Sequence, residues 1–571
     1  MKNRKRNYAW NRVEPFSNIY EMLANAAAES GDRTAFEYID KDGNTVEVTY
    51  EAFRRSTLQI GTAMQALGID DKHVAMVSEN RYEFIQVYLT MLQSRGVFVP
   101  LDKELPLTDK INVLKDSDSE VAFVSGKFAS DLMAARHQMP AIRLWILLDE
   151  DSLPDETSAK EENDIMTFSE LLEMGEELCA DEEKITFGTD SDPDQVRVLV
   201  YTSGTTGMAK GVMLTEHNIC ACVYHGLQVV ELGGRSLSVL PYNHTYEAGA
   251  ILASLHSHST ICINDNLRHV LKNLNRFHPD YIYLVPAFAE LFYKRIWTNA
   301  KRNGKEEALK KALTTSRRFR RVGVDVRMTL FASIHAAFGG RLTRIVCGGA
   351  PLRPEIGEFF DDIGIQLLNG YGITECSPLV SANRVRFNDP HTVGTVLPGL
   401  ELRFDEVGED GNGEICVRGA NVMKGYYKQP ELTSEVLEKD GWFHTGDYGR
   451  LNKQGQLMIT GRKKNLIILS NGKNIYPEEI ESYLGSIPYA SEVVVYAQKD
   501  EHGMDNALCA AVYCAPELLK EQGITDLAER LKADVTKACQ VLPDYKRVSR
   551  VVVRDTEFVK TTTKKIKRNC I

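Results

Sequence analysis

Residues Tyr201 to Val212 read YTSGTTGMAKGV, a run in which glycines, hydroxyls and a lysine fall together at the end of an apolar, strand-like segment, VRVLVYT. Such a loop is suited to phosphate. Gly204 and Gly207 let the backbone turn so that N–H groups converge on an oxyanion, while the hydroxyls of Ser203, Thr205 and Thr206 and the ammonium of Lys210 add hydrogen bonds and charge. A merely flexible polar turn is the competing reading, and it leaves the conjunction of residue types behind a strand unexplained. The run is not a Walker loop: Gly211, not Ser or Thr, follows the lysine, and a strand-like Val-Met-Leu follows in place of a helix.

The surrounding chain supplies the elements that must hold this loop. The segment from Tyr50 carries Ile60, Met64 and Leu67 at helical spacing, and HVAMVSEN after it reads as a short buried strand. Apolar runs at Val97, Val121 and Ile142 repeat the pattern, so the wiring is α/β. Residues 149–195 turn acidic and read as a surface excursion before a second α/β unit with strands near Leu237, Ser259, Pro279, Leu342 and Ile365. A long basic insert, Ala289 to Gly340, contains SRRFRR from Ser316, most simply a solvated helix face. After about Gly461 a smaller unit begins, with helix PEEIESYLGSI, strands SEVVVYAQ and ALCAAVYCA, a helix from Asp526 and strand RVVVR.

At 571 residues two or more domains are expected, and the net charge of −11 speaks against general nucleic-acid binding. Eleven cysteines without a CxxC pair argue against a disulfide framework and against a zinc site; reduced, buried thiols are expected. No run approaches the roughly 18 apolar residues of a membrane span, and the basic N-terminus lacks the apolar stretch of a signal peptide, so a cytoplasmic location is expected.

With five further motifs in order, the loop resembles the signature of the adenylate-forming superfamily, which holds acyl-CoA synthetases, peptide-synthetase adenylation domains and beetle luciferases. The motifs are LPYNHTYE at Leu240, CGGAPL at Cys347, NGYGITECSP at Asn369, GWFHTGDYG at Gly441 and GRKKNLIILSNGKNIYPEEIE at Gly461. The resemblance implies an α/β protein with a large N-terminal domain of stacked α/β sheets plus a small barrel-like subdomain, residues 1–461, and a smaller mobile C-terminal α/β domain, residues 462–571. It implies ATP and Mg²⁺, with coenzyme A as co-substrate.

Residue by residue, the resemblance gives the triphosphate to Thr202, Ser203, Gly204, Thr205, Thr206, Gly207 and Lys210, and the adenine pocket to Gly348, Gly349 and Ala350. Asn369, Gly370, Tyr371, Gly372 and Thr374 join the nucleotide site, Tyr371 stacking on adenine and Thr374 meeting phosphate. Thr202 and Glu375 are the implied Mg²⁺ ligands, Asp447 accepts from the ribose hydroxyls, and Arg462 reaches ribose or phosphate. His244 matches an aromatic position at the mouth of the acid tunnel, a satisfied structural histidine being the alternative. In the tail KTTTKKIKRN, register makes Lys565 the catalytic lysine that neutralises charge as pyrophosphate leaves, with Lys564 an adjacent competitor. Lys464 takes the hinge position, and Gly472 lies where the pantetheine thiol would approach.

The reaction so implied joins a fatty acid to AMP and then to CoA. The basic insert and the tail pattern look like the long-chain branch, with chain length left open. Transfer to a separate acyl carrier protein is one rival, and nucleotide binding without turnover another. Contact with an anionic membrane through the basic N-terminus and SRRFRR, and the oligomeric state, stay undecided at this level.

Overall fold

The computed structural model describes residues 7–152, 164–180, 186–189, 192–202, 209–469, 473–499, 505–524, 526–560 and 566–568. They form an α/β protein of two compact units. Met1–Ala350, Pro354–Glu401 and Arg418–Gly441 make the larger; Pro351–Arg353, Leu402–Val417 and Trp442–Ile571 make the smaller.

The larger unit contains an eight-stranded and a nine-stranded sheet. In the first, His73–Val77, Val97–Pro100, Val121–Val124 and Leu144–Leu147 run parallel. Val121 to Val124 are all buried, the continuous apolar pattern of strands covered on both faces. The hairpin Val196–Thr202 and Lys210–Thr215 continues this sheet beside Val97–Pro100. In the second, Arg235–Ser238, Thr260–Ile263, Tyr281–Leu284, Arg344–Cys347 and Gln366–Gly372 are parallel, and Leu379–Ala382 turns back antiparallel. Helix Tyr50–Ala66 starts where the Thr49 hydroxyl accepts from Ala52 N–H, and it buries Phe53, Ile60 and Met64.

Two parts of the larger unit differ from a reading of composition. Within the acidic stretch, strand Ile165–Thr167 extends the parallel sheet beside Leu144–Leu147, and helix Phe168–Leu178 follows with a Thr167/Glu170 capping box. That helix lies against Tyr50–Ala66 so closely that a Cβ on Gly175 would stand 2.3 Å from the Gln59 carbonyl oxygen. Its acidic outer face disguised a short apolar stripe. The basic insert is helical as expected, in Pro286–Arg302 and Glu306–Arg321, but its arginines are not all solvated. Arg317 pairs with Asp362 at 2.5 Å and Arg320 with Asp361 at 2.9 Å, fastening the insert to helix Pro354–Ile363.

Arg384 is another internal fastening. Wholly buried, it donates to Asn7 Oδ1 at 2.6 Å, to the Tyr8 carbonyl at 2.5 Å and to the Ala9 carbonyl at 2.7 Å. The Tyr8 and Trp10 rings lie over its guanidinium at 3.7 and 4.7 Å. Its neighbour Asn383 donates its backbone N–H to the Asn369 carbonyl at 2.9 Å.

In the smaller unit, Leu400–Asp405, Gly413–Gly419, Phe443–Leu451 and Leu457–Arg462 lie side by side in that order as one sheet. A second sheet pairs Glu492–Lys499 antiparallel with Asp505–Tyr513, itself parallel to Arg550–Arg554. Helices Pro477–Leu484 and Leu527–Cys539 contribute Ile480, Leu484, Leu531 and Val535 to this unit's core. Asp526 caps the second of them by accepting from Glu529 N–H.

Candidate active site

The first strand of the hairpin carries a β-branched residue at every second position, and Val198, Leu199 and Val200 are buried. Thr202 stands in register with Lys210 at the end of two antiparallel strands; Ser203, Gly204, Thr205, Thr206 and Gly207 lie outside the described residues. The strand after the lysine, Lys210–Thr215, agrees with the non-Walker reading. Its last residue caps helix Glu216–Val229: Thr215 accepts from Asn218 N–H, and the Asn218 side chain accepts from Thr215 N–H.

A third short strand, Gly425–Tyr426, pairs with this hairpin, placing Tyr426 opposite Val212. The Lys210 ammonium lies 5.2 Å from the centre of the Tyr426 ring. On the ring's far end the phenol donates to Glu375 Oε1 at 2.9 Å. Glu375 is buried in the turn Thr374–Cys376, and its backbone carbonyl accepts from Met423 N–H at 2.8 Å. Lys210, Tyr426 and Glu375 thus form a row linked through one ring. Burial, reinforced by the Glu375 charge, pushes the Tyr426 phenol far up, so it stays a neutral donor to the carboxylate. The sequence reading passed over Tyr426, which in GYYKQ looks like an ordinary loop aromatic.

The strand Gln366–Gly372 delivers Asn369, Gly370, Tyr371 and Gly372 to the end of the nine-stranded sheet, and Thr374 and Glu375 follow directly. Glycine is needed at two of these points for space. A Cβ on Gly372 would lie 2.4 Å from the Pro378 carbonyl oxygen, and one on Gly348 would lie 3.2 Å from the Gly370 carbonyl oxygen. The backbones of the CGGA and NGYG segments therefore approach each other, with Gly349 at φ +85° and Ala350 exposed beside it. Tyr371 and Thr374 are half-buried. Asn369 donates to the Thr392 carbonyl at 3.4 Å, while its Oδ1 is buried without a hydrogen-bond partner.

His244 sits at the start of helix Thr245–His256. With Tyr88, Val198, Val200, Leu214 and Tyr242 it lines a narrow, largely apolar cleft of about 20 Å³. Ser377, two residues beyond Glu375, belongs to the same wall. One turn into the helix, Glu247 is completely buried and accepts from the Ser238 hydroxyl at 2.5 Å. Burial pushes its carboxyl up to about 8, so it is mostly protonated at neutral pH. Glu247 falls inside the LPYNHTYE motif but carried no assigned role.

In the smaller unit Asp447 and Arg462 are register partners on adjacent strands and form an ion pair, Nε to Oδ1, at 2.7 Å. The chain bulges at Thr445–Asp447: Thr445 Oγ1 donates to the Ile415 carbonyl at 2.8 Å and accepts from Asp447 N–H at 3.1 Å, with Gly446 at φ +67°. Lys464 is exposed in the turn Lys463–Asn465. Gly472, Lys564 and Lys565 lie outside the described residues. On either side of the latter two, Lys560 and Ile566 form an isolated bridge, and Arg568 donates to Glu481 at 2.5 Å and to the Val495 carbonyl at 3.1 Å.

The sequence profile of AMP-binding enzymes matches residues 23–427, and the profile of the AMP-binding enzyme C-terminal domain matches 479–565. The chain belongs to the AMP-binding enzyme family. Among related AMP-binding enzymes, the long-chain-fatty-acid–CoA ligase FadD15 of Mycobacterium bovis is 30% identical over 505 residues, covering 85% of this chain and 80% of its own. The long-chain-fatty-acid–[acyl-carrier-protein] ligase AEE15, chloroplastic, of Arabidopsis thaliana is 26% identical over 555 residues, covering 85% and 75%. Among solved AMP-binding enzymes, the anthranilate CoA ligase AuaEII in complex with anthranoyl-AMP superposes with a TM-score of 0.74 at 18% identity, covering 98% of this chain and 97% of that one. That likeness establishes the fold.

Proposed function

We propose that this protein is an AMP-forming acid–thiol ligase that activates a long-chain fatty acid with ATP and passes the acyl group to coenzyme A. The observation that carries the reading is the row Lys210–Tyr426–Glu375 at the end of a hairpin whose own strands wall an apolar cleft. A carboxylate lodged there would meet a cation and a hard oxygen donor at one end and apolar side chains along its length. Long-chain relatives, FadD15 among them, support the choice of acid.

A carboxylate oxygen of the acid attacks the α-phosphorus of ATP; the bond to the bridging oxygen breaks and pyrophosphate leaves. No protein nucleophile is required, and the chain contributes position and charge. In this reading the glycine-rich loop and Lys210 hold the leaving phosphates, and Lys565 neutralises charge on the carboxylate and bridging oxygen. The glycine-lined approach of Gly348 to Gly370 leaves backbone against which a purine can lie, and the unpartnered Asn369 Oδ1 offers an acceptor suited to an exocyclic amine. Tyr371 would stack on the base, and Asp447 would take the ribose hydroxyls once Arg462 releases it.

The donor set suits a magnesium ion: Thr202 and Glu375 are hard oxygen donors, and Tyr426 steadies the carboxylate. Such an ion would supply Lewis-acid stabilisation of the phosphates. In the second step the CoA thiolate attacks the acyl carbon and AMP leaves, the face around Gly472 receiving the pantetheine. We further propose that residues 462–571 move as a body between the steps, pivoting at Lys464.

Exposed Phe319 and Val322, with the exposed cations Arg318 and Arg321 beside them, support contact with an anionic bilayer by an otherwise cytoplasmic enzyme. Among the described residues no helix is long and apolar enough to cross a membrane. The alternative acceptor, an acyl carrier protein, is favoured by AEE15. The deciding experiment is fatty-acid-dependent ATP–pyrophosphate exchange over graded chain lengths, followed by AMP release with CoA or with purified carrier protein. Absence of exchange with every acid defeats the proposal, and turnover with carrier protein alone selects the alternative.

A further inference from the structure

Three strands of the smaller unit place unlike metal-ligating groups on one face of a sheet. Asp405 ends Leu400–Asp405, Cys416 lies in Gly413–Gly419, and His444 is its register partner in Phe443–Leu451. The ligand atoms of these three lie within 4.8 Å of one another, the one such gathering of three His, Cys, Asp or Glu groups among the described residues. Cys416 Sγ is 3.3 Å from His444 Nδ1 and 3.5 Å from Asp405 Oδ2, and His444 Nδ1 is 3.4 Å from Glu414 Oε2. A tetrahedral zinc ion with one sulfur and otherwise nitrogen and oxygen ligands separates neighbouring ligand atoms by about 3.4 to 3.6 Å. The separations of Cys416 Sγ from His444 Nδ1 and from Asp405 Oδ2 are already close to two edges of such a tetrahedron.

We infer that Asp405, Cys416 and His444 form a binding site for one thiophilic divalent cation of the zinc class, with Glu414 beside His444. Charge supports this. Asp405, Glu406 and Glu414 bring three carboxylates together against the two positive charges of Arg403 and Lys463, so the cluster favours an added cation. Both cations bond to carboxylates of this cluster. Arg403 donates to Asp405 at 2.8 and 2.7 Å, and Lys463 to Glu414 at 2.7 Å, with Glu406 at 2.9 Å. On binding, the S–H bond breaks, a metal–sulfur bond forms and the proton passes to solvent. Half-exposed Asp405 and His444 leave a path of entry.

The site differs from the expected magnesium site in ligand softness and in the residues that make it, and its test needs no turnover. Purified full-length protein is titrated with Cd²⁺ and thiolate-to-metal charge transfer is read in the ultraviolet. One equivalent of absorbing complex is expected in the wild type beyond that of Cys416→Ala. Asp405→Asn should weaken binding by roughly tenfold or more, the scale on which even groups behind metal ligands act. Zinc should raise the melting temperature of the wild type alone. X-ray absorption on the wild-type zinc complex should show a sulfur at about 2.3 Å together with lighter ligands. Identical cadmium spectra in the wild type and Cys416→Ala, or a zinc shell without sulfur, overturn the inference; the second measurement stands even if the variant fails to fold.

Discussion

Replacing Tyr426 by phenylalanine tests the row from Lys210 to Glu375 most directly. The substitution keeps the ring that faces Lys210 at 5.2 Å and deletes only the hydroxyl 2.9 Å from Glu375 Oε1. Donor and acceptor are both buried, so water cannot simply substitute. A hydrogen bond to a charged group contributes about 1.5 to 3 kcal/mol, and the same loss at a transition state slows it by about tenfold to 150-fold. If Glu375 is steadied for magnesium, the loss falls on adenylation and the Mg²⁺ concentration for half-maximal rate rises. Thioester formation from supplied acyl-AMP should stay within about twofold of wild type. The assay is ATP–pyrophosphate exchange across a magnesium titration, paired with CoA transfer from synthetic acyl-AMP. Wild-type exchange at every magnesium concentration, or equal loss in both half-reactions, would refute a positioning role for the phenol.

Lys565→Ala should abolish pyrophosphate exchange while acyl-AMP supplied from outside is still converted to thioester; equal loss of both would assign the lysine another task. Glu247→Gln should change the pH dependence of stability. The carboxyl is raised from 4.5 to about 8 when folded, so between those values the unfolded chain loses a proton that the folded chain keeps, and wild-type stability falls as pH rises. Across that window urea denaturation should show the glutamine variant gaining on wild type by up to about 5 kcal/mol and levelling above it; a pH-independent difference would refute this. Gly372→Ala forces a Cβ to within 2.4 Å of the Pro378 carbonyl and should cost about 1 to 3 kcal/mol of stability and weaken ATP binding, read by melting temperature and nucleotide titration.

Segments whose burial is local were legible from composition. Val196–Thr202 was read to the residue because its apolar run ends where glycine and hydroxyl residues begin. The strand holding Val212 to Leu214, the strand carrying Asn369 to Gly372, and the elements of the C-terminal sheet followed for the same reason. What escaped depends on partners far apart in the chain. Tyr426 meets Glu375 across 51 positions, and nothing within GYYKQ announces it. Glu247 escaped because an acid is ordinarily exposed, and only the Ser238 hydroxyl and the surrounding core reveal otherwise. Cysteine spacing argued against zinc; it is silent on side chains gathered from three strands, such as Asp405, Cys416 and His444. The helix Phe168–Leu178 was hidden by its own solvent-facing glutamates.

The Arg384 fastening makes residues 7–10 a working part of the protein. A shortened version lacking residues 7–10 would strip a sunken guanidinium of three oxygen acceptors and two aromatic lids at once. Through Asn383 the disturbance would reach the Asn369 carbonyl one strand away. Affinity tags and trimming sites at this end therefore belong upstream of Asn7, where they leave that anchorage intact.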